Sequence, residues 1–297
     1  MITLAHLSDI HLAPLPKVKP GELLNKRITG YLNWRLKRHA SLEGIGLAAL
    51  IAHLHEQDPD FIAVTGDLIN LGLEDEIAVA SGWLKGIGPA DRVCVSPGNH
   101  DAYLPGTLTR ACNAWRDYVS GETINESPFP FVRRVGPVAI VSCSSAIATP
   151  FFFSAGRFDP QQANRLARIL QMLDEGGYFR VVMIHHPPEI EEQRFRSGLW
   201  GAPLFRQVIA AQGAEMILHG HTHRSTIHAI PGRHRDVPVI GVAAAGSAQS
   251  DRPTDDPARY NLFRIERQGD SWACNMGEFG FQRLGGEITL RLQVRVY

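Results

Sequence analysis

Five short polar motifs in this sequence carry residue types that can do chemistry together: Asp9-Ile10-His11, Gly66-Asp67, Gly98-Asn99-His100-Asp101, His185-His186 and Gly220-His221-Thr222-His223. They offer carboxylates, imidazoles and one amide carbonyl, and no thiolate. Such a mixture of oxygen and nitrogen donors suits divalent transition ions such as Mn, Fe, Co or Zn. Singly, each motif has an ordinary reading. A DxH is commonly a turn carboxylate beside a surface imidazole, a Gly-Asp pair is commonly a turn, and a double histidine is often solvated or satisfied in a core. What joins them is position, because each follows directly on a stretch with strand character. In an extended chain, Asp9 and His11 would share one face at the strand end and could reach a single ion. His221 and His223 repeat that spacing.

The stretches that must position these motifs are short β-branched runs at 2–8, 60–65, 92–96, 138–142, 180–184, 215–218 and 237–242. Each reads as a buried strand. Helical periodicity predicts helices over 42–57, 73–85, 108–118, 160–175 and 203–212. This alternation argues for a layered α/β fold. In open α/β sheets the carboxyl ends of strands converge on one crevice, so motifs far apart in sequence can meet there. Beyond residue 260 the period becomes two, in 261–267 and 288–296, with turn signals at Gly269-Asp270 and Gly285-Gly286. These predict antiparallel edge strands. No repeat or low-complexity linker divides the chain, so residues 1–297 read as one domain.

Thirty Lys and Arg balance thirty Asp and Glu across 297 residues, and 44% of the chain is hydrophobic. That composition excludes a disordered chain and a generally basic nucleic-acid binder, so no nucleic-acid polymer is expected as partner. No apolar run approaches the ~18 residues of a membrane span, and the start of the chain carries no export signal, so a cytoplasmic location is expected. Cys94, Cys112, Cys143 and Cys274 are scattered and read as reduced packing residues. His6, His39, His53, His55, His219, His228 and His234 fit no ligand pattern and read as core or surface. Phe151-Phe152-Phe153 reads as core or an oligomer contact, and 246–260 as a long polar loop. Residues 17–40 hold seven basic residues against one acid, Glu22, with Leu24, Ile28, Tyr31, Leu32 and Leu36 at helical spacing and Trp34 nearby. Three readings stay open for this segment: a helix packed on its own domain, a cap attracting an anionic substrate, or a peripheral membrane contact. Gly30 is expected to weaken the helix.

Taken together and in this order, the motifs resemble the calcineurin-like metallophosphoesterase superfamily, whose pattern is D-x-H, G-D, G-N-H-[DE], H and G-H-x-H. The resemblance runs from Asp9 to His223, and Gly98-Asn99-His100-Asp101 with Gly220-His221-Thr222-His223 carry most of its specificity. It implies a four-layer α/β/β/α sandwich of two mixed sheets with flanking helices, the metal site lying at the carboxyl ends of strands. It also implies two divalent or trivalent ions (Mn, Fe, Zn or Co), one held by Asp9, His11 and His223 and the other by Asn99, His185 and His221, with Asp67 bridging. The family's His-His-Pro pattern makes His185 the ligand and leaves His186 a supporting place. His100 is expected to point into the cleft and serve the leaving group. Asp101 either orients His100 or is structural. A hydroxide bridging two such ions would be the nucleophile, in place of Ser or Cys.

Gly66-Asp67-Leu68-Ile69-Asn70 lacks the Asp-Arg-Gly signature of the Ser/Thr protein phosphatases. Asn70 stands where purple acid phosphatases place a tyrosine ligand, and His100 where the usual UDP-diacylglucosamine hydrolases have arginine. The remaining pattern looks like the bacterial class III cyclic-nucleotide phosphodiesterases and glycerophosphodiesterases. The expected substrate is a cyclic nucleotide or other small phosphodiester. The alternatives are a lipid-linked phosphodiester or pyrophosphate at a membrane surface, a phosphomonoester, or a metal-bound adaptor without catalysis.

Overall fold

The computed structural model describes residues 1–37, 45–189, 195–247, 256–269, 271–282 and 286–297. In chain order its strands are β1 (Ile2–Leu7), β2 (Phe61–Val64), β3 (Val93–Val95), β4 (Glu122–Thr123), β5 (Phe131–Val135), β6 (Val138–Ser142), β7 (Gly156–Arg157), β8 (Phe179–Met183), β9 (Leu199–Trp200), β10 (Met216–His219), β11 (Thr226–Ile230), β12 (Val237–Gly241), β13 (Arg259–Gln268), β14 (Ser271–Phe281) and β15 (Ile288–Arg295). The helices are α1 (Arg27–Lys37), α2 (Ile45–Glu56), α3 (Glu74–Ile87), α4 (Thr107–Ala114), α5 (Pro160–Glu175) and α6 (Ala202–Gln212).

The strands form two large mixed sheets, ordered β15-β14-β13-β1-β2-β3 and β11-β12-β10-β8-β6-β5-β4. β1, β2 and β3 are parallel, as are β6, β8, β10 and β12, and the remaining members pair antiparallel. Alternation along β8 shows how the layers arise. Phe179, Val181 and Met183 join Leu4, Val64 and Phe263 in the core between the sheets, while Val182 packs with Leu166, Leu170, Phe205 and Ile209 of α5 and α6. Leu50, Leu54, Ile77 and Leu84 bring α2 and α3 onto the first sheet. The result is the four-layer α/β/β/α sandwich that the sequence resemblance implies.

Two sequence expectations need correction, and three of the longer strands are not predicted from the sequence. Residues 259–268 form an inner strand between β1 and β14, because Tyr260, Asn261, Leu262 and Phe263 are all buried and both edges are paired. β14, β5 and β11 carry too little regular alternation to be read, and β14 contains Gly277 and Gly280. Gly30, expected to weaken α1, instead lets it pack closely, since a Cβ there would collide with the Tyr103 hydroxyl and Leu71. His39, Arg38 and the polar stretch 248–255 lie outside the described residues. Among the described residues no helix is long and apolar enough to cross a membrane. All four cysteines are free thiols.

The parallel strands aim their carboxyl ends the same way, and backbone hydrogen bonds then lace the loops that follow them. Asp9 N–H donates to Gly66 carbonyl at 3.0 Å and His11 N–H to Asp67 carbonyl at 2.9 Å, so the loops after β1 and β2 run side by side. Gly220 N–H donates to His185 carbonyl at 3.0 Å, joining the loops after β8 and β10, and Ala245 N–H to Ser8 carbonyl at 2.9 Å ties the two sheets together.

Candidate metal centre

The residues of the five motifs meet at this junction, but not through the strand geometry that their spacing suggests. β1 ends at Leu7 and β10 at His219, so the ligand-type residues lie just past the strands. Asp9, His11, Asp67, His221 and His223 all take left-handed backbone conformations, with φ of 53°, 44°, 56°, 69° and 56°. Each such residue costs of order 1–3 kcal/mol and persists only where the surroundings over-determine it. Glycine permits the close approach: a Cβ at Gly98 would run into the Asp67 carboxylate and one at Gly220 into Ser8 and Asp9. Asp9 and His11 still turn toward one point, with His223. His221 and His223 do not share a point as their spacing suggests, because His221 groups with His185 and His186 instead.

Asp67 sits in the middle. Its Oδ2 lies 3.3 Å from His185 Nε2 and 3.8 Å from His11 Nε2, and its Oδ1 accepts the His100 backbone N–H at 2.7 Å. Asn99 Oδ1 is 3.3 Å from His185 Nε2, and Asp9 Oδ1 is 3.2 Å from His223 Nε2. Asp9 Oδ2 accepts the His221 backbone N–H at 3.0 Å, whereas its buried Oδ1 accepts no hydrogen bond.

The imidazoles are held in the manner of metal ligands. His185 Nδ1 lies 2.5 Å from Thr65 carbonyl, His11 Nδ1 3.3 Å from Ile69 carbonyl and His221 Nε2 2.9 Å from Ser197 carbonyl. A carbonyl can only accept, so each ring donates that N–H, and its other nitrogen is the one a cation would take in place of any proton there. In His185 and His11 that nitrogen is the Nε2 near the Asp67 carboxylate. A buried carboxylate oxygen without a hydrogen bond, paired carboxylates and ring nitrogens aimed at them fit divalent cations. Burial alone pushes the Asp67 and Asp9 carboxyls up, but the surrounding imidazoles, His185 foremost at Asp67 and His223 at Asp9, hold both below the usual carboxylate range. Burial pushes His221 down to about 4, helped by His185, so its ring is neutral near pH 7 and able to bind a cation.

His186 belongs to the same cluster in space, yet both its nitrogens are engaged elsewhere. Nδ1 is 2.8 Å from the Ser145 hydroxyl and Nε2 donates to Ser154 carbonyl at 2.9 Å. Burial, with His221 and His185 beside it, lowers its pKa far below the ordinary value. It packs as a neutral support between the His185 loop and residues 145–156.

His100 faces the centre beside His11, their ring centroids 4.7 Å apart. Its Nδ1 lies 2.6 Å from Asn70 carbonyl, so backbone at Asn70 fixes the ring. That carbonyl is in turn set by Glu76, whose buried carboxylate accepts the N–H groups of Asn70, Leu71 and Leu73 at 2.8, 3.0 and 2.9 Å. Glu76 was not singled out in the sequence, although Leu73-Glu74-Asp75-Glu76 has the acid at the third helical position that a capping interaction favours. Asp101 holds backbone: its carboxylate accepts from the N–H groups of Asp67, Gly98, Leu68 and Ile69 at 2.9, 2.9, 3.0 and 3.4 Å. Of the two roles expected for Asp101, the geometry therefore supports the structural one, exerted on the Asp67 loop. Burial, with Asp67 close by, pushes its carboxyl up to about 7.

Asp101→Asn would turn an amide N–H toward two of those backbone donors. It is expected to loosen Asp67 and weaken metal affinity by about 10- to 100-fold, measured by competition with a chelator while circular dichroism reports the fold. Unchanged affinity would show that Asp67 is held without it.

A cavity of about 400 Å³ opens beside His100 and Asn99, walled by α1 through Thr29, Gly30 and Trp34 and by Phe152, Phe153 and Tyr103. Phe151 and Phe152 are exposed, which corrects the expectation of a core position. Lys26 and Arg27 turn inward to build this wall. Lys26 Nζ donates to Thr149 Oγ1 at 2.7 Å and Phe153 carbonyl at 2.9 Å, and Arg27 donates to the carbonyls of Leu71 and Gly72 at 2.9 and 2.6 Å. Of the histidines read as core or surface, His6 and His219 are buried outside the cluster, His6 bonding Thr65 Oγ1 at 2.9 Å.

A family model described as calcineurin-like phosphoesterase matches residues 2–225. A probable cyclic nucleotide phosphodiesterase of Synechococcus sp. is 27% identical over 230 residues, which span 76% of this chain and 79% of its own. Among solved structures, a dimetal phosphatase from Danio rerio aligns with a TM-score of 0.63 at 13% identity, covering 100% of this chain and 99% of that one. A purple acid phosphatase from yellow lupin seeds aligns with a TM-score of 0.54 at 12% identity, over 93% of this chain and 51% of that one. At those identities the structural likeness is one of fold.

Proposed function

The chain belongs to the calcineurin-like phosphoesterases, and on that premise we propose that it hydrolyses a small phosphodiester, with a cyclic nucleotide as the leading substrate. The observation that carries this reading is the Asp67 carboxylate set between His11 and His185, with ring nitrogens aimed at it from both sides. Asp9, His11 and His223 would hold one divalent ion and Asn99, His185 and His221 the other, with Asp67 shared between them. Two ions so held would lower the pKa of a water molecule toward neutrality and neutralise charge developing on the phosphoryl oxygens. The donors present accept several metals, so supply decides among Mn, Fe, Zn and Co.

The chain's own contribution is positioning and proton delivery. With Nδ1–H donated to Asn70 carbonyl, a protonated His100 presents Nε2–H to the leaving alkoxide, and loss of that proton leaves the neutral ring still anchored at Nδ1. Trp34, Tyr103, Phe152 and Phe153 give the neighbouring cavity the aromatic surface that a nucleobase can stack on. The Synechococcus relative's name points the same way.

Protein stripped with a chelator and reloaded with Mn should regain hydrolysis in a panel of cyclic nucleotides, glycerophosphodiesters, nucleotide-lipid pyrophosphates and simple monoesters. Cyclic nucleotides are expected to exceed monoesters in kcat/KM by about 100-fold or more, a transition-state difference of roughly 2.7 kcal/mol. Full activity with no bound metal, or a preference for monoesters, would contradict the proposal. Metal retained with no turnover on any ester would point to an adaptor.

A further inference from the structure

The charge pattern of the segment 17–37 is resolved by its packing. Lys26 and Arg27 face the protein, and α1 and the turn before it present apolar side chains to solvent alongside Lys19 and Arg35. Leu24, in the turn before the helix, is 88% exposed, and Ile28 and Leu32, four residues apart on one side of α1, are 44% and 52% exposed. Across the mouth of the cleft, joined to α1 by the Lys26 hydrogen bonds, Phe152 is 74% exposed, and Phe195 packs edge-on against Phe153 with ring centroids 5.7 Å apart. α1 and the Phe152–Phe153 turn both wall the cavity beside His100, and each also carries exposed apolar side chains.

The exposed charges on these described segments are mainly positive. Lys17, Lys19, Arg35 and Arg196 are exposed there. Residues 149–157 and 195–200 contain no carboxylate, and the one acid of 17–35, Glu22, accepts the Lys19 backbone N–H at 2.7 Å. This local excess of positive charge stands in a chain with equal numbers of acids and bases. A second copy of the chain is a poor occupant, because joining two such faces would bring like charges together. An anionic lipid surface accepts both features at once, apolar side chains entering the acyl boundary and Lys and Arg meeting headgroup phosphates.

We infer that α1, the preceding turn and the Phe151–Phe153 turn dock on an anionic phospholipid bilayer, with the cavity beside His100 opening toward it. The docking stands on the surface alone. Its consequence, that the ester cleaved is one presented at a bilayer surface, rests on the phosphodiesterase reading. A lipid headgroup diester and a soluble diester share the scissile group, so the two sources are separated by presenting each to the same protein.

Flotation of the full chain with vesicles tests the docking without any turnover. Wild-type protein is expected to float with phosphatidylglycerol–phosphatidylcholine vesicles, to do so at least about tenfold less with phosphatidylcholine alone, and to be released as salt is raised. The Leu24→Asp, Ile28→Asp and Leu32→Asp triple variant should lose binding by about tenfold or more, with thermal midpoint and hydrolysis of a soluble chromogenic diester unchanged. Should that variant fold poorly, Lys17→Glu, Lys19→Glu and Arg35→Glu together should lose the preference for phosphatidylglycerol. The inference is overturned if wild-type protein stays in the soluble fraction with both vesicles, or if the apolar variant binds like wild type. It is also overturned if light scattering finds a dimer that this variant dissociates. If the protein floats but cleaves neither a vesicle-borne nor a soluble diester, the docking holds and the phosphodiesterase reading fails.

Discussion

Asp67→Ala is expected to remove metal from both positions of the centre and to lower ester hydrolysis by about a thousandfold or more. The carboxylate lies near imidazoles of both clusters, 3.3 Å from His185 and 3.8 Å from His11. Removing it deletes the negative charge that a pair of dications would share, and several kcal/mol of transition-state stabilisation go with the ions. The backbone supports the same conclusion. Asp67 is held at φ 56°, with Asp101 accepting its N–H and Gly98 packed against its carboxylate, an arrangement that serves no apolar core. Metal content after loading and desalting is the direct readout, alongside the thermal midpoint of the metal-free variant. Normal content of both metals in Asp67→Ala would refute the shared role.

His100→Ala should behave oppositely, keeping its metal while losing turnover. A positioned proton donor contributes about 10²- to 10⁴-fold, and the contribution grows with the basicity of the leaving group. Diesters with poor alkoxide leaving groups should therefore slow far more than activated aryl diesters. The alternative is also spelled out by the geometry, since His100 clusters with His11 and Asp67 closely enough to hold a cation. Loss of metal in His100→Ala would make it a ligand, and equal losses on both substrate types would deny it the proton.

Most of the centre was legible because its residues are chemically conspicuous. Asp9, Asp67, Asn99, His185, His221 and His223 follow strands whose β-branched runs are unmistakable, and parallel strands bring their carboxyl ends together. The local geometry was not legible. Period-two reasoning puts Asp9 and His11 on one strand face, whereas both lie beyond the strand in left-handed turns, and the same turns send His221 and His223 to different neighbours. The supports were harder still. Asp101 and Glu76 act by accepting backbone N–H groups, and which N–H a buried carboxylate accepts is decided by tertiary packing. Gly30 shows the same limit, because a residue unfavourable to an isolated helix is favoured where Tyr103 presses against it.

The strand order carried a related ambiguity. Asn261–Arg267 alternates like a half-exposed edge, and only the placement of β13 between β1 and β14 shows why its first residues are buried on both faces. Segment 17–37 was ambiguous in charge. Counting basic residues cannot tell that Lys26 and Arg27 bind carbonyls of the cleft wall while Leu24, Ile28 and Leu32 meet solvent.

The most direct test of the account is an anomalous difference map from crystals of the manganese-loaded protein. Two peaks are predicted, one among Asp9, His11 and His223 and one among Asn99, His185 and His221, each beside the Asp67 carboxylate. A map with no peak among these side chains, in protein that nonetheless hydrolyses phosphodiesters, would contradict it.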